Sequence, residues 1–198
     1  MRNKTTVQLD YASLLIPIML LIEGRFAYLF ALLSAAAIHE CGHLLTARLL
    51  HIPISSLRIS ILGAQLQLSD PLLSYRREWL LCAAGPLFSL LFFAIARCLG
   101  AVLLHFPFFE EAGAISAALG IVNLLPIGWL DGGRMFRASC YQILSPGIAR
   151  GLLRTVSFLC FLLLWMISVY LLLRVGNSLS LFIFSFSLFL RFFLSEAE

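Results

Sequence analysis

Apolar runs long enough to enter a bilayer recur along nearly the whole chain, and nothing else in the sequence restricts its fold as much. Six can be marked, at about 11–22, 27–49, 79–104, 112–126, 152–173 and 179–194. A helix needs roughly 20 residues to cross the hydrocarbon core, so the first, fourth and sixth are short. Between the runs stand Glu23-Gly24-Arg25, the long stretch 50–78, Glu110-Glu111, the stretch 128–151 and the segment from Arg174 to Ser178. Composition closes off the soluble alternatives. Apolar residues make up 61% of the 198 and charged residues 12%, about half the usual charged share and too few to cover a globule in water. The chain reads as an all-α polytopic membrane protein of about six transmembrane helices, forming a single membrane-embedded domain over residues 1–198.

The net charge of +4 does not indicate nucleic acid, because the basic residues form no patch or run. They order by topology instead. With the N-terminus in the cytoplasm, the inner segments hold Arg2, Lys4, Arg48, Arg58, Arg76, Arg77, Arg134, Arg137, Arg150, Arg154 and Arg191, and the outer side holds Arg25, Arg97 and Arg174. That bias follows the positive-inside rule and sets both termini in the cytoplasm of a cell-membrane protein. Residues 1–26 begin like a signal peptide, but Glu23-Gly24-Arg25 stands where a small-x-small cleavage site would be, so the segment is expected to remain. The five cysteines have no paired spacing, and most read as small buried apolar groups.

Ionisable groups at membrane depth are costly and mark function. One cluster is His39-Glu40-Cys41-Gly42-His43, an H-E-x-x-H pattern inside the second apolar run. Residues i and i+4 share a helix face, so two imidazoles can bind one zinc ion while the carboxylate reaches a water on it. Packed, hydrogen-bonded core groups are the plainer alternative, but two histidines and a glutamate within five residues are hard to justify at that depth without a metal. Catalytic zinc takes three protein ligands and leaves a fourth position open. Depth selects the third. His39 and His43 lie roughly 9–15 Å below the cytoplasmic boundary at 1.5 Å per residue. The fourth run, read as ending at Pro126, stops about 9 Å short of the same face. The segment 127–133 is then expected to be irregular backbone lining a hydrated cavity, with Asp131 at the depth of the histidines. Small residues on the second run (Ala35, Ala36, Ala37, Gly42) and the fourth (Gly113, Ala114, Ala117, Ala118, Gly120) would let these two spans approach.

With both groups in place, the sequence resembles the site-2 protease family of intramembrane zinc metalloproteases. The resemblance is carried by His39-Glu40-Cys41-Gly42-His43 and by Asn123-Leu124-Leu125-Pro126 leading to Leu130-Asp131-Gly132-Gly133, in the family's order; Ala84-Gly85-Pro86 resembles a weaker element. It covers a catalytic core of about 27–136 and implies His39, His43 and Asp131 as zinc ligands, Glu40 as general base and Asn123 as a residue that helps hold the substrate chain. The layout is most like the branch of the bacterial sporulation protease, stage IV sporulation protein FB. It departs from that branch in ending at Glu198 without a C-terminal regulatory domain. Ser89 stands where the family often has Asn.

The expected activity is therefore hydrolysis of a peptide bond in a membrane-associated or single-pass protein, in or near the bilayer, with a membrane regulatory partner as a further expectation. Residues 54–69 alternate apolar and polar side chains around Gly63 and read as a small membrane-associated β-hairpin between the second and third spans. Its edge could accept the substrate as an added strand, or the hairpin could only plug the cytoplasmic cavity. Two other functions use the same residues. A metal transporter would not need Glu40 as a base and usually has repeated halves, which are absent. A catalytically silent adaptor would not need three ligands plus a glutamate.

Overall fold

The computed structural model describes residues 6–9, 18, 21–60, 63–68, 73–102 and 107–175. In chain order the elements are β1 (Thr6–Leu9), α1 (Phe26–Leu49), β2 (Ile54–Ser60), β3 (Gly63–Leu68), α2 (Tyr75–Val102), α3 (Pro107–Asn123), α4 (Asp131–Ile143) and α5 (Pro146–Val175). They fall into two compact units, residues 1–124 and 125–198.

Among the described residues three helices, α1, α2 and α5, are long and apolar enough to cross a membrane. They correspond to the apolar runs 27–49, 79–104 and 152–173. Among the described residues three such helices are found, not six. The run 112–126 falls in α3, whose 17 residues make a rod of about 25 Å against a core of about 30 Å. The runs 11–22 and 179–194 lie outside the described residues but for positions 18, 21 and 22. Large apolar side chains on the candidate spans face outward, among them Phe30, Leu87, Leu91, Leu163 and Met166. Helices with such exteriors suit lipid, where a backbone must satisfy its own hydrogen bonds.

In the first unit α1, α2 and α3 pack against one another pairwise. The core is built from small groups: Ala31, Ala35, Ala47, Ala84, Ala96 and Ala112 are buried beside Leu81 and Cys82. On α1 the buried positions 31, 35, 39, 43 and 47 recur every four residues, a stripe on one helix face. Both histidines therefore lie on the packed side of α1.

The same helix has a defined end. His51 takes a left-handed φ of 52°, its N–H donates to the Arg48 carbonyl at 3.2 Å, and the Ile52 N–H donates to the Ala47 carbonyl at 2.8 Å. This pair of bonds is the Schellman closure, which satisfies carbonyls a helix end would leave open. Its usual apolar contact is present as well, since Ile52 packs with Ala47 and Leu81.

β2 and β3, both within 54–69, pair antiparallel with an irregularity between Ile54 and Ser56. β1 adds to the other side of β2 in parallel, giving the order β1-β2-β3. That N-terminal strand was not anticipated, because four residues carry too short a pattern to read.

In the second unit α4 and α5 pack together. The expectation of irregular backbone through 127–133 needs correction. Only the turn before Leu130 is irregular, and Asp131, Gly132 and Gly133 form the first turn of α4. The glycines do not break this helix. Gly133 allows a close approach instead, because a Cβ there would overlap the Ile127 carbonyl and lie 2.8 Å from the Gly128 nitrogen. Asp131 is favoured at this end, where the helix dipole is positive.

Candidate metal centre

His39 and His43 are both buried, at 4% and 6% exposure, while Glu40 between them is half-buried. The rings meet edge to face with centroids 5.0 Å apart, and their Nε2 atoms are 3.3 Å apart. Two nitrogens each about 2.0–2.1 Å from a tetrahedral zinc stand about 3.3–3.4 Å apart. The pair thus already has the edge length of such a site.

The other side of each ring is held by α2. His43 Nδ1–H donates to the Leu81 carbonyl at 2.8 Å, and His39 Nδ1 lies 2.9 Å from Ser89 Oγ. A metal-ligating histidine typically donates its second ring N–H to an oxygen, which sets the ring's orientation and tautomer. His43 does so here, Ser89 Oγ is within hydrogen-bond distance of His39 Nδ1, and the two Nε2 atoms point toward each other. Ser89 is buried, and its carbonyl accepts a bond from Ser116 Oγ of α3 at 3.0 Å.

Glycines make these approaches possible. A Cβ on Gly42 would lie 2.7 Å from the Ala84 carbonyl and 2.9 Å from the Phe88 ring. One on Gly120 would lie 3.0 Å from Ser89 Cβ, and one on Gly113 would lie 3.2 Å from Ala96 Cβ. All three face α2. The small residues expected to join the second and fourth runs to each other therefore serve, at these glycines, contact with the helix between them in sequence.

Asp131 begins α4 in the second unit and is largely buried, at 9% exposure. Asn123 ends α3, and its Nδ2 donates to the Leu119 carbonyl one turn back at 3.0 Å. Leu81 was not picked out from sequence, and Gly85 and Ser89 entered only through the resemblance, with no role assigned to either. A backbone carbonyl leaves no mark in a sequence, and the signal at Ser89 was its place where the family often has Asn, three residues after Gly85-Pro86.

Residues 100–166 match the model of Peptidase family M50. This stretch includes Asp131 but not the histidine pair. No curated protein sequence matches the chain. Among solved structures, the site-2 protease from Methanocaldococcus jannaschii superposes with a TM-score of 0.65 at 16% identity, over 93% of this chain and 87% of that one. The chain has a site-2 protease fold. The peptidase match and this fold together support a metalloprotease. Neither sets it in one branch of such enzymes.

Proposed function

We propose that this chain is an intramembrane zinc metalloprotease that cleaves a membrane-associated or single-pass protein in or near the bilayer. The observation that carries the reading is the histidine pair. Two buried imidazoles at zinc-ligand spacing, each oriented from behind by an oxygen of α2, are costly to build into an apolar helix bundle for packing alone.

His39, His43 and Asp131 each offer one ligand atom, a two-nitrogen, one-oxygen set of the kind that leaves zinc a fourth position for catalysis. Asp131 is assigned by its depth in the sequence. Bound zinc supplies a Lewis acid for the scissile carbonyl and lowers the pKa of a water toward 7. Glu40 follows His39 on α1 and, in this reading, removes the proton from the attacking water and returns it to the leaving amine nitrogen. Asn123 retains a side-chain oxygen for the substrate backbone, its Nδ2 being engaged within α3. A transmembrane substrate must first unwind, since a helix in lipid hides its carbonyls in its own hydrogen bonds. An edge of the three-stranded sheet offers the freed segment a strand partner.

Both termini are assigned to the cytoplasm from the basic residues, and the two short terminal runs are assigned as further spans. The sporulation-protease branch is the family branch this layout fits, and a membrane regulator is the partner class it implies. The test is cleavage of a panel of single-pass transmembrane peptides by the purified chain in micelles. The expected result is cleavage by wild type that stops with a zinc chelator and with Glu40→Gln. Cleavage that persists in either would contradict the mechanism.

A further inference from the structure

The face of α2 opposite the histidines has a period of its own. Leu81, Gly85 and Ser89 are spaced by four and share one side of the helix, as His39 and His43 do on α1. The two helices run in opposite directions here, with His43 meeting Leu81 and His39 meeting Ser89. Gly85 lies between these contacts. A Cβ on it would overlap His43 Nε2 and come within 2.7 Å of His39 Nε2. The space in front of both ligand nitrogens is therefore kept open by a missing side chain.

The two oxygens are not equivalent. A carbonyl only accepts, so the Leu81 carbonyl holds His43 with its proton on Nδ1 and a lone pair on Nε2. A hydroxyl donates or accepts, so Ser89 can hold His39 in either tautomer. Coordination needs both Nε2 lone pairs. The His39 proton must then be carried on Nδ1, with Ser89 Oγ turned to accept it.

We propose that Ser89 and Gly85 are positioning residues for the metal: Ser89 holds the His39 ring with Nε2 turned to the coordination space, and Gly85 keeps that space clear. This rests on the metalloprotease reading above. Zinc dissociation constants by chelator competition, with 15N NMR of the histidine side chains, test it in the purified chain. Wild type should bind zinc, and in the bound state both histidines should carry their proton on Nδ1. Ser89→Ala should weaken zinc binding about 10–100-fold, the usual effect of removing such a partner. Ser89→Thr, which restores the hydroxyl, should recover most of the affinity. Gly85→Ala should lose stoichiometric binding. Wild-type affinity in Ser89→Ala, or a zinc-bound His39 that carries no proton on Nδ1, would overturn the inference while leaving the zinc site standing. Absence of zinc binding in wild type would overturn the parent reading and this inference together.

Discussion

Glu40 and its two neighbouring histidines show how a single residue's task can be separated from its neighbours'. If the histidines hold the ion and Glu40 moves the proton, Glu40→Gln should keep zinc and lower turnover about 10²–10⁴-fold, the range for losing a general base. Metal analysis beside a cleavage assay distinguishes the two effects. Gly42 makes a different demand, one of space. Its Cα faces the Ala84 carbonyl and the Phe88 ring, so Gly42→Ala should cost about 1–3 kcal/mol through overpacking. Unfolding in detergent should show the loss even without metal. The motif His39 to His43 was legible in sequence because an i, i+4 pair needs no tertiary information. The oxygens behind it were not. Leu81 contributes a backbone carbonyl, and Ser89 lies fifty residues away from His39 on another helix.

At the scale of the element, the apolar runs gave three helices of spanning length, but their punctuation was read less well. Pro126 and the Asp131-Gly132-Gly133 glycines pointed to irregular backbone, whereas α4 starts at Asp131 and the irregular part is the short turn ahead of it. Glycine has two uses, freedom of φ and the lack of a Cβ, and a sequence does not say which applies. At Gly133 it is the second, so Gly133→Ala should force the Ile127–Leu130 turn off α4 and destabilise the protein by about 1–3 kcal/mol. Loss of thermal stability in detergent is the readout. The end of α1 was equally hidden. His51 occupies the left-handed position that glycine usually fills, and its closure depends on the contact of Ile52 with Ala47 and Leu81.

For the whole molecule, composition and the basic residues carry most of what can be read without coordinates. Chains with this apolar content have little choice of solvent, and eleven of the fourteen Lys and Arg residues fall on one side of the proposed topology. Reporter fusions at residues 77 and 154 should accordingly report the cytoplasm, and a fusion at residue 111 the opposite side. The reverse pattern would invert the active face. The zinc content of the detergent-purified chain, compared with His39→Ala and Asp131→Ala, reaches the central claim most directly. One zinc per chain in wild type and loss in both variants is the predicted result. Full occupancy in Asp131→Ala would contradict the ligand set, and a wild-type chain without zinc would contradict the metalloprotease itself.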